Sequence, residues 1–514
     1  MPDITKRYRQ AKELADTLLD TIEPDKYDFN SLLEELQFDA EIIFNDLISL
    51  KTLRTKVKKH LLHLCQGLDN EYAIPGLIEY MSRFYMDRPK NKSTMAGLAA
   101  KMLIGFTWAN QYDGHLGTSR SVNAIVSAHQ CCTLFALLEQ VILIWEFEDL
   151  GAVIFTSDGR IANDRFQYLQ LSFNKQGPHE YKILNDAMQY VWQNENIWAH
   201  LHLIISGSAY KNRKLFGDSF LSEIPASQTH FWNRFWSLMQ LYFLALRSLR
   251  NRTEEVFSLC IIPQGLMLSP ADFGGTMQQD IFDSFWQPDW HREQLTKDYM
   301  ILQNMIVARP MIRIVMTENL FGTSIVLLQD AVNSLLEKFL HSGAGDRLYE
   351  KYFSSPFETS ILELLRQYGY SCGEVTMGGQ WRKEDQPEHL RSGKKMPGQI
   401  DVLAISQEKQ VCLLADCKML YFPYDSSARR NLRSKFSDDD SEGFYKKLRK
   451  KQSWLNHCAP NPAKGLTIIP LLITHRHIPL PITNKGLVLS IEELEHYLKA
   501  SIHPKDWICG GWNT

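Results

Sequence analysis

Two short apolar runs, Gln399–Ile405 and Val411–Met419, separated by the polar stretch Ser406–Gln410, constrain this chain more than any other feature. Runs of that length, rich in Val, Ile and Leu and joined by a polar turn, read as a β-hairpin. They are not purely apolar: Asp401 lies early in the first, and Asp416 and Lys418 lie late in the second. Pairing Ile405 with Val411 sets Asp401 opposite Ala415, one residue from Asp416. Asp416 and Lys418 are two apart and project from the same face of their strand. Two carboxylates and an ammonium thus converge within apolar strands, where charge costs free energy unless it is paired or binds something.

Adjacent carboxylates repel one another, which suits them to a hard cation such as Mg²⁺ or Mn²⁺. A cation of that kind can activate a water and stabilise charge growing on a phosphodiester, and the lysine can orient the attacking water or neutralise the transition state. The bland alternative is a structural ion pair on an edge strand, which leaves the second carboxylate without a reason.

The surroundings add an order of elements. A helix, Phe357–Leu365, carries Glu358 and is closed by Gly369. After the hairpin come a basic helix from Ser441 to Cys458, a strand from Leu466 to Thr474, a short strand from Gly486 to Ser490 and a helix from Ile491 to Leu498. Glu358, Asp401 and the triplet Asp416-Cys417-Lys418, in the order helix, strand, strand, resemble the PD-(D/E)XK nucleases, the restriction-endonuclease-like superfamily. The Phe-Glu helix start with the later Gly369-Tyr370 is most similar to its Mrr-type branch. An isolated (D/E)-x-(K/R) triplet arises about six times by chance in a chain of this composition, so the weight rests on the combination. The residue before Asp401 is Ile400, where the motif's name has Pro.

The resemblance covers about 150 residues and implies an α/β domain with a mixed central sheet flanked by helices. It implies Asp401 and Asp416 as central metal ligands, Glu358 completing the site, and Lys418 as the catalytic lysine. Gln399, two before Asp401, would line the site; Lys446, Lys450 and Gln452 on the basic helix would contact the phosphate backbone. The implied reaction is Mg²⁺- or Mn²⁺-dependent hydrolysis of DNA to 5′-phosphate and 3′-hydroxyl ends, in restriction or anti-phage defence. The same chemistry would serve RNA, so a ribonuclease or a repair exonuclease is the nearest rival, and a non-catalytic scaffold of the same fold is another. Glu363 rivals Glu358, but five residues along a helix turn it about 140° away.

Elsewhere the sequence says less. At 514 residues the chain is too long for one core. We divide it into a helical region 1–150, a mixed, mainly helical region 151–345 that targets or controls the nuclease, and the nuclease domain 346–514: an α+β multidomain protein. The leucine and isoleucine spacing predicts helices over Ile4–Ile22, Ser31–Cys65, Glu71–Met86, Ser93–Gln111, Val122–Glu148, Asn233–Arg250 and Thr323–His341, and the texture predicts strands at Ala152–Thr156, Tyr168–Phe173 and Val256–Pro263. Residues 351–514 carry 23 Lys and Arg against 18 Asp and Glu, so a basic C-terminal part sits behind an acidic remainder in a chain of net charge −3. That balance suggests a phosphate-rich partner for the C-terminal part, and protein contact or autoinhibition for the rest. The partners expected are DNA, as the resemblance implies, or RNA, with a partner protein or a homodimer, the latter to cut both strands. The best apolar run, Cys131–Trp145, is short of a membrane span and contains Glu139 and Gln140. With nine cysteines at ordinary density, a cytoplasmic protein with reduced thiols and no membrane contact is expected. His60, His63 and Cys65, like His129, Cys131 and Cys132, lie in helical apolar stretches and read as packed core rather than zinc ligands. His200 and His202 read the same way, and no phosphate-binding Gly-Lys loop is present. Arg429, Arg430, Arg433 and Lys435 form a loop-like basic stretch read as mobile charge or a DNA contact.

Overall fold

The computed structural model describes residues 4–23, 28–86, 95–112, 117–147, 151–163, 220–250, 259–263, 310–315, 320–384, 386–420, 434–436, 443–475 and 487–508. The strand expected at Tyr168–Phe173, His200 and His202, and Arg429, Arg430 and Arg433 lie outside these residues. The chain is α+β and divides into two compact units, with a boundary at Ser342–Gly343.

In the first unit the described helices are α1 (Ile4–Thr21), α2 (Asn30–Glu35), α3 (Leu47–Gly67), α4 (Asn70–Met86), α5 (Met95–Tyr112), α6 (Val122–Phe147), α7 (Thr229–Arg250) and α8 (Ile325–Leu340). Two small sheets accompany them, β1 (Glu41–Phe44), β2 (Val153–Thr156) and β3 (Ile161–Ala162) in one, and β4 (Leu259–Pro263), β5 (Ile312–Val315) and β6 (Leu320–Ser324) in the order β4-β6-β5 in the other. The stretch Ser31–Cys65, expected as helical, is interrupted. Glu41-Ile42-Ile43-Phe44 pairs antiparallel with β2, because two adjacent β-branched residues fit a pleated ladder better than a helix. Asp46 then starts α3 by accepting the Ser49 N–H. Two buried acceptors bind helix to sheet: Glu79 takes the Leu259 N–H at 2.5 Å and the Tyr8 hydroxyl takes the Ile261 N–H at 2.6 Å.

The apolar part of α6 is longer than the sequence suggested. Val122–Ile142 is long and apolar enough to cross a membrane, but 83% of its most apolar window is buried within the protein, as in a helix of the protein core. His129 in that helix is buried, its Nε2 is 2.9 Å from the Ala96 carbonyl oxygen, and burial pushes it down to about 4. The eight described cysteines are free and buried.

The second unit is built on a seven-stranded mixed sheet in the order β15-β14-β12-β11-β7-β8-β9. After a short helix α9 (Asp346–Tyr349) and a π-turn (Glu350–Ser354), α10 runs from Ser355 to Gln367. It ends at Gly369, whose φ of +80° permits the return in which the Tyr370 N–H reaches the Leu365 carbonyl at 3.2 Å. The strands are β7 (Ser371–Val375), β8 (Gln380–Lys383), β9 (Glu388–His389), β11 (Ile400–Ser406), β12 (Val411–Lys418), β14 (Thr467–Thr474) and β15 (Leu487–Ser490); β10 (Arg391–Ser392) and β13 (Cys458–Ala459) pair separately. Helix α11 (Phe444–Asn456) connects β12 to its parallel neighbour β14, and α12 (Ile491–Lys499) follows β15, its start fixed by a Ser490–Glu493 capping box.

Every residue of β11, and of β12 up to Cys417, is buried, which is why both read as near-continuous apolar runs. Alternation along β12 divides its side chains between two cores. Cys412 and Leu414 pack with Leu448, Trp454 and Leu455 of α11, while Val411, Leu413, Ala415 and Cys417 pack with Phe357, Ile361 and Leu365 of α10 and with α12. Full burial of each of those α10 anchors is worth roughly 1.5–3 kcal/mol, enough to fix where the helix places its polar face.

Candidate active site

The hairpin forms, but its register differs by one residue from the expected one. Ser406 pairs with Val411 and Val402 with Ala415, so continuing the ladder sets Asp401 opposite Asp416 rather than Ala415. The turn explains the slip. The Ser406 hydroxyl accepts the Lys409 N–H and Gln410 adopts φ of +52°, so the chain reverses within Gln407–Gln410 and Ser406 joins the ladder. The strand is also not an edge: β12 lies between β11 and β14.

Asp401 and Asp416 are 9% and 2% exposed. Asp401 Oδ2 accepts the backbone N–H of Cys417 at 2.8 Å. Lys418 Nζ lies between the carboxylates, 3.6 Å from Asp401 Oδ2 and 3.8 Å from Asp416 Oδ2, and donates to the Cys417 carbonyl at 3.1 Å. Burial alone would lower the Lys418 ammonium, but Asp401 and then Asp416 outweigh it and hold it above its ordinary value. Asp401 is pushed up, by burial first and by the charge of Asp416, against the pull of Lys418. Cys417, on the opposite face, is buried in the α10 core and its thiol is pushed far up by burial, so it is inert.

Glu358 sits in the first turn of α10 and is half-buried, whereas Glu363 is exposed. Burial, then the negative charge of Asp401, pushes Glu358 up to about 8. Among the described residues it has no hydrogen-bond or ion-pair partner. A carboxyl pushed up by burial and by neighbouring carboxylates is a place where added positive charge is favoured.

Two participants lie outside the expected set. Lys451, on the inward side of α11, donates to Asp416 Oδ1 at 2.5 Å. Glu374 on β7 accepts from Gln399 Nε2 at 3.2 Å and from Arg382 at 2.6 Å, and its charge adds to the upward push on Glu358. Gln399, expected to line the site, bonds to Glu374 and not to Asp401, Asp416 or Lys418. Lys446 and Lys450 are exposed and Gln452 is half-buried; no hydrogen bond or ion pair joins any of them to the carboxylates. The spacing of three and four that sets Lys451 on one face of α11 with Leu448, Trp454 and Leu455 is the sequence signal for it. For Glu374 the signal is an acid inside the five-residue strand Ser371–Val375.

The donor set fits a hard cation in part. Asp401, Asp416 and Glu358 offer carboxylate oxygens only, and no three His, Cys, Asp or Glu side chains among the described residues stand close enough to enclose one ion. A closed structural site is therefore absent there, whereas Mg²⁺ asks for one or two carboxylates and keeps its waters. Asp401 and Asp416 are two such carboxylates, already engaged by the Cys417 N–H and by Lys451.

Comparison with protein-family models, with curated proteins and with solved structures found no match to this chain.

Proposed function

We propose that the second unit is a restriction-endonuclease-like domain that hydrolyses DNA phosphodiesters with Mg²⁺ or Mn²⁺. The observation that carries this reading is the placement of Lys418 Nζ between Asp401 and Asp416, 3.6 and 3.8 Å away, on two buried central strands. Helix α10, the β11–β12 hairpin, α11, β14, β15 and α12 follow one another in the order the resemblance implies.

Asp401 and Asp416 would hold the ion, with Glu358 near enough to sense its charge. Bound there, Mg²⁺ supplies Lewis-acid stabilisation and a more acidic water. Lys418 offsets charge growing on the scissile phosphate, held in line by the Cys417 carbonyl. Asp401, through the Cys417 N–H, keeps the two halves of the triplet in register. Lys446 and Lys450, exposed on α11, are free to meet backbone phosphates. The first unit would control targeting or activation, in a restriction or defence setting.

A second reading, a nuclease fold used as a scaffold, is favoured by one observation: Lys451 already neutralises Asp416. Cleavage of supercoiled plasmid, linear duplex, single-stranded DNA and RNA, with Mg²⁺, Mn²⁺ or EDTA, separates the readings. Metal-dependent cutting that is lost in Asp416→Ala and Lys418→Ala supports the nuclease, and the substrate pattern chooses DNA or RNA. An uncut panel with metal affinity unchanged in Asp416→Ala would overturn it.

A further inference from the structure

We propose that Lys451 is a built-in counter-cation for the Asp401–Asp416 pair, holding Asp416 in place until a divalent ion takes over and drives the ammonium off. This rests on the reading of those aspartates as metal ligands, and adds a regulatory residue to it.

The argument begins with charge. Asp401 and Asp416 are both buried and come opposite one another when the ladder is continued one residue past Val402–Ala415, so the pair calls for compensating positive charge close by. Lys418 supplies one, at 3.6 and 3.8 Å, with the longer spacing of a charge shared between two carboxylates. Lys451 supplies the other and commits it to one oxygen: Nζ is 2.5 Å from Asp416 Oδ1, and its side chain is 9% exposed. It comes from a separate element, α11, anchored by Leu448, Trp454 and Leu455.

Gly398, on the approach to β11, has φ of +153°, and the lysine stem passes it at ordinary van der Waals distance: a Cβ there would lie 3.6 Å from Lys451 Cε. The lysine stem therefore runs beside backbone that only glycine readily supplies. Its reach is long and unbranched, so the head group can leave Asp416 while the stem stays packed.

A divalent ion on Asp416 and a lysine on the same carboxylate repel one another at short range. The two cannot both be bound at full strength, so metal affinity carries the cost of displacing Lys451. The expulsion would leave the ammonium at the mouth of the site, on the helix that also presents Lys446 and Lys450.

The test uses the entire 514-residue chain with Mn²⁺ or Mg²⁺ and no nucleic acid. Lys451→Met should bind Mn²⁺ at least tenfold more tightly by calorimetry than wild type. Its metal-free melting temperature should fall by several degrees, and saturating Mn²⁺ should raise it more than it raises wild type. An affinity in folded Lys451→Met that is equal to or weaker than wild type overturns the proposal. If that variant does not fold, amine labelling of the wild-type protein decides. Labelling of Lys451 should rise several-fold with Mg²⁺ while that of Lys446 stays constant, and labelling of Lys451 unmoved by Mg²⁺ overturns it. Asp416→Asn separates this inference from the reading beneath it. Wild-type binding that is absent, or indifferent to Asp416→Asn, removes the metal site itself and the inference with it. Binding that needs Asp416 but ignores Lys451 removes only the inference.

Discussion

Asp401 Oδ2 accepts the backbone N–H of Cys417 at 2.8 Å, so the carboxylate of one strand grips the residue midway between Asp416 and Lys418 on the next. The contact makes Asp401 a register clamp as well as a proposed ligand. Asp401→Ala leaves a buried N–H unsatisfied and should destabilise the second unit by about 1–3 kcal/mol. Asp401→Asn, which keeps an acceptor, should retain most of that stability and still abolish metal-dependent cutting. Urea denaturation of the two variants checks this, and equal stability loss in both would refute the clamp.

Lys418 should separate catalysis from binding. Lys418→Met is expected to lower the cleavage rate about 100-fold or more. It should not weaken Mn²⁺ affinity, because the change removes positive charge beside the ligands. Single-turnover cleavage with calorimetry on the same preparation reads both, and a matching loss of affinity would assign Lys418 to holding the carboxylates.

Stability should depend on pH through Glu358. Its folded value is pushed up to about 8 from an ordinary 4.5, by burial and then by Asp401. Between those values the folded protein holds a proton that the unfolded chain releases. The contribution is complete below about pH 4.5 and is lost as pH rises through about 8. Metal-free wild type should therefore lose stability between about pH 4.5 and about pH 8 relative to Glu358→Gln, and run parallel to it above that. Parallel pH slopes in chemical denaturation would show that Glu358 does not hold that proton.

The exposed lysines of α11 should act on nucleic acid and not on the fold. Lys446→Ala with Lys450→Ala should leave the melting temperature unchanged. Duplex affinity should fall, and the slope of log K against log salt should flatten by about 0.9 for each phosphate that these lysines neutralise. A salt slope identical to wild type would place the DNA path elsewhere.

Much of the second unit is legible in the sequence because its signals are local. Val411–Ala415 can hardly be anything but a buried strand, and Pro356, Glu358 and Gly369 bracket a helix by elementary stereochemistry. The register departs by one residue from the expectation because it depends on Gln410 adopting a positive φ, a choice made by the turn and not by the flanking strands. Sequence reasoning favours Lys446 and Lys450 over Lys451 because a basic run alone does not declare which lysine faces inward; only spacing from the apolar residues of α11 does. Leu448, Trp454 and Leu455 decide that by burying one side of α11. In the first unit, β1 is hidden in a stretch whose leucine spacing is helical on either side, and only pairing with β2, more than a hundred residues later, makes it a strand.

The internal position of β12 has a consequence for how long the site lasts. Its backbone is laddered to β11 on one side and to β14 on the other, with both faces packed. Amide protons at Ala415 and Cys417 should therefore exchange with solvent only when the entire unit unfolds, in step with its slowest-exchanging residues. The Asp401–Asp416 centre then resists dismantling by local fraying, and control of the proposed activity would have to work through side chains and helices laid over the two strands.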